Sequence, residues 1–522
     1  KRAHPRAHLL LLVTGQETDV LAHWHRDAGD DDFGVAALVQ HLAQAGGQRH
    51  QRLARAGRAG ERDVGFKQLA LRLAVVSFAE RENAFEASAA EQLKRTQHGG
   101  FVIFAEVFVG DGDTHGADLV ADVHAGEMKV RSNDTDYRFR AHSAFSHLTG
   151  WGSAAVPDSI LVIDARSPKT QTRLYFRESA GRDSDEFFAN PAIGEFWVGA
   201  RPSLTQIEDL LGIETRSLTL FETDFSTELD GKDFLTLDDP ALAEFLSELR
   251  LVKDQYEIKQ MRKAVAATEL GFGEVRASFA QAQMVARGER VVETAFFSAA
   301  RQHGNDLGYD TIAAAGAHAC TLHWIQNDGP VKAGELILID AGVEIDSLYT
   351  ADITRTLPIS GKFKPVQKMI YEAVLEAADA AFAIAKPGIK FHELHDAAMR
   401  VIAQKTAEWG LLPVSAEESL DKENQHHRRW MVHGTSHHLG LDVHDCAQAR
   451  RELYQDGELK PGMVFTIEPG LYFHPDDLLV PEEFRGIGVR IEDDVLVTET
   501  GVENLSVGLP RTVADIERWM VS

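Results

Sequence analysis

Four carboxylates and one histidine, set in five short motifs, constrain this chain more than anything else in its sequence. The motifs are LILIDAG with Asp340, TADITRT with Asp352, VHGTSHHLGLDVHD with His437, FTIEPG with Glu468 and VRIEDD with Glu492. Most of these charges interrupt or end apolar runs, where an ionised side chain is costly unless something compensates it. Strand alternation puts residues i and i+2 on one face. Arg490 and Glu492 therefore point together, while Val489 and Ile491 point the other way. Asp340 shares a face with Leu336 and Leu338, so a carboxylate ends an apolar face. Asp340 and Asp352 flank a turn around residues 344–347, which can bring them onto adjacent antiparallel strands.

Four carboxylates carry four negative charges, which two divalent cations neutralise while the imidazole stays neutral. An oxygen-dominated set with one nitrogen and no thiolate suits Mn²⁺, with Co²⁺ or Zn²⁺ as alternatives. Two such ions about 3.5–4 Å apart hold a bridging hydroxide and clamp a tetrahedral intermediate. Taken singly, each acid reads as a strand-end or surface carboxylate; the ordered set reads as a two-metal hydrolase. His433, His437, His438 and His444 crowd into one glycine-rich segment. Four imidazoles cannot all ligate a site already supplied with four carboxylates. One ligand and two hydrogen-bonding partners for substrate and oxyanion is the economical reading. His438 is expected to be only a neighbour of the ligand, and His392 and His395 to be solvated.

At 522 residues the chain exceeds one domain, and 44% hydrophobic with 26% charged residues is an ordinary globular composition. A formal charge of −26 argues against a nucleic-acid partner and gives no reason to expect an anionic membrane surface. Cys320 and Cys446 are too few and too far apart for a disulfide framework or a thiolate zinc site, and read as small buried hydrophobes. No run is long and apolar enough to span a bilayer. No convincing signal peptide is visible either, so the cytoplasm is the default expectation. The chain begins with Lys1 rather than Met, which leaves its start open.

Three regions follow one another. Residues 1–125 hold nine of the 23 histidines, one of the 16 prolines and none of the eight tyrosines. At average usage of about 5%, roughly six prolines belong there. The region reads as an atypical, non-functional or mobile extension, or as sequence from outside the natural reading frame. Its deletion is expected to leave catalysis intact. Residues 126–247 read as a compact α/β domain: SILVIDA and RLYFRES as strands joined by RSPKTQT, SLTQIEDLLG as a helix ended by Gly212, and a second helix opened by Pro240. In residues 248–522 each half runs helix, helix, antiparallel strands, a repetition that suggests pseudo-two-fold halves. Expected helices are Tyr256–Ala280, Val291–His303, one opened by Pro365 and closed by Pro387-Gly388, and HELHDAAMRVIAQKTAEWG.

From about residue 127 onward the chain resembles the bacterial aminopeptidase P (Xaa-Pro aminopeptidase) family of the creatinase/prolidase/methionine aminopeptidase superfamily. The resemblance rests on LILIDAG, ADITRT, HGTSHHLGLDVHD, FTIEPGLY and RGIGVRIEDDVLVTETG, with RSNDTDYRFRAHSAFSHLTGWG favouring this family over its relatives. It implies an α/β architecture with a C-terminal pita-bread catalytic domain behind a smaller α/β N-terminal domain. It implies Asp340, Asp352, His437, Glu468 and Glu492 as ligands of two divalent ions, with Glu468 also moving the proton. His444 would hold the oxyanion, His323 and His433 would face the leaving proline, and Arg490 would lie beside the metals. Trp197 resembles a tryptophan that can lie near a substrate pocket across an oligomer interface, in a dimer or tetramer. The activity implied is release of the N-terminal residue from peptides with proline second, through a hydroxide bridging two metals. Prolidase activity on Xaa-Pro dipeptides is the nearest alternative, and a catalytically silent binding protein a more distant one. Two departures stand out: the Asp340–Asp352 segment is one residue longer than in familiar members. In addition, Cys446-Ala447-Gln448-Ala449 stand where some members carry a tyrosine.

Overall fold

The computed structural model describes residues 120–164, 171–228 and 234–522, together with two isolated strands, Leu69–Val75 and Ile103–Val109. The remaining residues of 1–119, and most of the expected turn at 166–172, lie outside the described residues. The chain divides into two compact units, residues 1–249 and 250–522.

The first unit is built on a five-stranded mixed sheet, in the order Glu214–Ser217, Gln171–Phe176, Ile160–Asp164, Val120–His124 and Phe234–Thr236. SILVIDA and RLYFRES form its antiparallel centre, with Ile160 opposite Tyr175. The expected helix runs Leu204–Leu211. Ser203 caps it by accepting from the Gln206 amide while the Gln206 side chain accepts from the Ser203 amide. Gly212 ends it in the left-handed region, φ 67°, where a side chain would strain the backbone. Val120–His124 precedes the expected start at 126 yet is an interior strand, with Ala121 and Val123 fully buried. The charged, histidine-rich surroundings hid a single apolar strand too short to show a period.

The second unit repeats itself. Helices Gln255–Ala282 and Gly288–His303 precede a three-stranded antiparallel sheet ordered Ile312–Ala315, Leu336–Ala341, Ile353–Pro358. Helices Pro365–Ile384 and His392–Glu408 then precede a second such sheet ordered Val464–Ile467, Asp493–Val497, Val502–Asn504, with Gly470–Phe473 paired to Ile487–Arg490 beside it. Asp254 opens the first helix with a reciprocal capping box to Glu257, and Pro365 opens the third where its missing N–H has no partner to lose. Leu336–Ala341 is buried on both faces, which is why LILIDA reads as an almost continuous apolar run, whereas the equally buried Ile353–Pro358 carries Thr354, Arg355 and Thr356. An apolar core runs through both halves, including Ile258, Ile337, Ile370, Val464 and Val489, and a second, smaller cluster gathers Leu251, Ala378, Phe391, Phe465 and Val495. The pseudo-two-fold reading holds at the level of element order.

A chain begun at residue 113 retains the Val120–His124 strand and should show the same unfolding transitions as the full chain in calorimetry. A chain begun at residue 126 lacks an interior strand and should lose the transition of the first unit while the second survives.

Candidate active site

All five motif residues converge in the second unit. Asp340 lies in Leu336–Ala341 opposite Thr354, and Asp352 immediately precedes the paired strand Ile353–Pro358. The strands pinch together just beyond: a Cβ on Gly342 would sit 1.8 Å from the Ala351 carbonyl oxygen, so only glycine fits. Glu468 ends Val464–Ile467, and Glu492 sits in the break between Ile487–Arg490 and Asp493–Val497. His437 comes from a loop tied to the second sheet, its amide donating to Thr466 Oγ1 at 3.2 Å.

Ligand-type atoms of Asp352, His437 and Glu492 all lie within 4.8 Å of one another. His437 Nε2 is 3.3 Å from Asp352 Oδ2 and 3.6 Å from Glu468 Oε1. Its Nδ1 lies 3.1 Å from the His438 carbonyl oxygen, which fixes the tautomer and leaves Nε2 facing the acids. Asp340 joins the group through Arg490, whose Nη2 donates to its carboxylate, and through Tyr309. The Tyr309 hydroxyl bridges the two aspartates, 2.6 Å from Asp340 Oδ1 and hydrogen-bonded to Asp352 Oδ1 as well. Thr354 Oγ1 donates to Glu492 Oε2 at 2.6 Å and accepts from Arg490 Nε at 3.1 Å. As strand alternation required, Arg490 and Glu492 serve the same cluster.

The electrostatics record crowding of like charge. Burial, then the charges of Asp352, Glu468 and Asp340, hold the Glu492 carboxyl well above the usual carboxylate range. Glu468 is pushed up to about 7, burial and the two aspartates outweighing His437 and Arg490. Asp352 is raised by burial and by Asp340, against the opposing bond to His437. Burial disfavours the His437 cation, but its bond to Asp352 and the charge of Glu468 raise it to about 9.

The other histidines divide by position. His433 accepts at Nε2 from the Tyr472 hydroxyl, 2.8 Å away, and the same oxygen accepts from Arg490 Nη1 at 3.0 Å. Burial, then Arg490, lowers His433 to about 3, so it is neutral. His444 is exposed, its ring centroid 4.3 Å from that of His437. His323 is exposed and close enough to disfavour protonation of both His433 and His444. His438 is buried and stacked on Phe391 with ring centroids 4.6 Å apart. His392 is exposed; His395 is not, and corrects the reading that both are solvated. Its Nδ1 lies 3.0 Å from Thr435 Oγ1, on the loop that carries His437. Both cysteines are buried and free.

Sequence reasoning missed Tyr309, Thr354, Tyr472 and Asp494, whose carboxylate accepts from the Asp352 amide. Tyr472 stands in the quoted FTIEPGLY; Tyr309 lies 31 residues before Asp340 in a segment with no motif.

Residues 259–499 match the model of metallopeptidase family M24, and residues 113–236 match the aminopeptidase P N-terminal domain. Xaa-Pro aminopeptidase 1 of Streptomyces coelicolor is 48% identical over 77% of this chain and 83% of its own length. The chain belongs to family M24, in its aminopeptidase P branch. Its fold is that of the solved relatives. The aminopeptidase PepP of Pseudomonas aeruginosa superposes with a TM-score of 0.66 at 32% identity, covering 78% of this chain and 95% of that one. A zinc-substituted Escherichia coli aminopeptidase P in complex with product gives 0.66 at 29% identity, covering 77% and 94%. Membership in this metallopeptidase family implies divalent metal ions. The residues fit them: four clustered carboxylates face one buried arginine and one imidazole, a charge excess the side chains alone leave uncompensated.

Tyr309→Phe removes the proton shared by Asp340 and Asp352. Divalent-metal affinity, measured by calorimetry, should fall by roughly 10–100-fold, the usual effect of losing a partner of the ligands.

Proposed function

We propose that the chain is a metal-dependent Xaa-Pro aminopeptidase, releasing the N-terminal residue from peptides whose second residue is proline. The observation that carries this reading is the convergence of Asp340, Asp352, His437, Glu468 and Glu492 at one locus, in a chain 48% identical to a curated Xaa-Pro aminopeptidase. These five residues would hold two divalent ions. Mn²⁺ is the preferred occupant, because carboxylate oxygens dominate and one imidazole favours a transition metal over a hard cation. When bound, such a pair supplies a Lewis acid and makes water nucleophilic near neutral pH.

The chain's own groups do the rest. Glu468 is the least buried of the four carboxylates, its side chain 14% exposed against 11% for Asp340, which suits a group that must meet substrate. It takes the proton from the attacking water and delivers it to the departing proline nitrogen. His444, exposed beside His437, donates to the carbonyl oxygen as charge builds there. His433 is held neutral by burial and Arg490, with its ring fixed by Tyr472, and His323 lies nearby; together they shape the leaving-proline side. Arg490 orients Asp340 through a hydrogen bond to its carboxylate. Proline, with no amide N–H and a fixed φ, demands this shape-based recognition.

Residues 126–247 with the preceding strand serve as the N-terminal domain, and 248–522 as the catalytic one. An exposed cluster of Phe188, Phe196, Trp197 and Val198 supports the expectation of a homo-oligomer. Among the described residues no helix is long and apolar enough to cross a membrane; the cytoplasm remains the proposed location.

Exhaustive chelation should abolish hydrolysis of a peptide such as Ala-Pro-Gly, and Mn²⁺ should restore it more fully than Mg²⁺. Full activity in protein shown to be metal-free by elemental analysis would sink the metal-dependent reading. Faster turnover of Ala-Pro than of Ala-Pro-Gly would favour a prolidase.

Glu468→Gln should lower kcat by at least roughly 10²–10⁴-fold, the range for general acid–base groups. His438→Ala, which touches no acid, should lower it far less in the same assay; equal losses would overturn the division of roles between the two.

A further inference from the structure

A cavity of about 290 Å³ is lined by Cys320, Leu322, Trp430, Val432 and Tyr472, with Thr321, Arg429 and His474. That size is at the lower end of the roughly 300–1,000 Å³ of ligand pockets, so it suits one large side chain rather than a whole peptide. The lining is chiefly apolar. Arg429 at its edge is engaged by Asp477 through two bonds of 2.9 Å, and so is not presented to an anionic group. The two segments that wall the cavity lead straight into the site: Leu322 precedes His323, and Val432 precedes His433. Tyr472 is the partition. Its hydroxyl joins His433 and Arg490 in the site, while its side chain also lines the cavity.

One wall is held rigidly in advance. The fully buried Glu289 carboxylate accepts from the amides of Ala315 (2.8 Å) and Gly329 (2.6 Å) and from Trp324 Nε1 (3.0 Å), and lies 2.7 Å from His318 Nδ1. These bonds pin both ends of the segment that carries Cys320, Leu322 and His323. Cys320 is tied across to the Phe473 carbonyl at 3.3 Å. A subsite fixed before binding loses little ordering entropy when it is filled.

We propose that this cavity receives the side chain of the third substrate residue and selects a large apolar one, such as leucine or phenylalanine. The proposal rests on the reading that His323 and His433 flank the leaving proline. The residue after proline is one Cα–Cα step, about 3.8 Å, farther along, and the cavity is lined by the chain neighbours of both histidines, Leu322 and Val432, and by Tyr472, which hydrogen-bonds His433.

The test is kcat/KM of the metal-loaded full chain on Ala-Pro-Gly, Ala-Pro-Leu and Ala-Pro-Phe. Burial of a leucine or phenylalanine side chain should favour those two over glycine by at least about tenfold. Val432→Trp fills the cavity from a half-exposed position and should bring the ratio to within about twofold of unity. Leu322→Asp should shift the preference away from phenylalanine and toward Ala-Pro-Lys. As a readout independent of turnover, calorimetry should show Pro-Phe binding more tightly than Pro-Gly to the unaltered protein and not to Val432→Trp. A ratio near unity in the unaltered enzyme, or a ratio untouched by both substitutions, overturns the subsite. Failure to cleave any of the three tripeptides while Ala-Pro is cleaved overturns instead the aminopeptidase reading beneath it.

Discussion

Repulsion among four buried carboxylates is the constraint on which the rest of the catalytic unit depends. Asp352, Glu468 and Glu492 hold protons more readily than ordinary carboxyls because each is removed from water and faces the other acids. Left to themselves they would protonate or move apart. The strands hold them together through backbone pairing, and their charge is what attracts divalent cations. Stability and function are thereby linked: the cluster is unfavourable for folding alone and becomes favourable when its cations are bound.

Around that cluster the fold uses three kinds of support. Tyr309 and Thr354 donate hydrogen bonds that orient the acids without adding charge. Arg490 adds the single fixed positive charge, and through Tyr472 links Asp340 to His433, so the metal side and the substrate side share one hydrogen-bonded chain. Farther out, fully paired buried charges fix the loops. Asp445 lies between Arg250 Nε at 3.1 Å and Lys253 Nζ at 2.9 Å, which anchors the loop ending in His444 to the start of the unit. Buried pairs of this kind add little net stability over an apolar core. Their effect is geometric: they fix where His444 stands. Glu289 does the same for the loop bearing His323.

The ordered acids and Arg490 were legible in the sequence because a charge inside an apolar strand is conspicuous and alternation tells which way it points; His437, on a loop, was legible only through its motif. Helices were legible for the same local reason: Pro365 and Gly212 announce ends that the structure confirms. What escaped were residues whose part depends on distant partners. Tyr309 resembles any loop tyrosine until the strand pairing brings Asp340 and Asp352 beneath its hydroxyl. His395 looked solvated because the helix face on which it lies is decided by the loop at Thr435. The strand Val120–His124 was passed over because its pairing partners, Ile160–Asp164 and Phe234–Thr236, come from later in the chain.

By itself, then, the sequence determined the residue types of the site, the order of helices and strands, and the chemistry that four acids and one imidazole can support. Those properties follow from local periodicity and from the cost of burying charge, which each segment carries on its own. Tertiary structure alone decided which hydroxyls share protons with the acids, which histidine is stacked in the core and which lies exposed beside His437, and which residues line a cavity. Each of these is a relation between segments far apart in the chain, fixed by pairing and packing across the two halves.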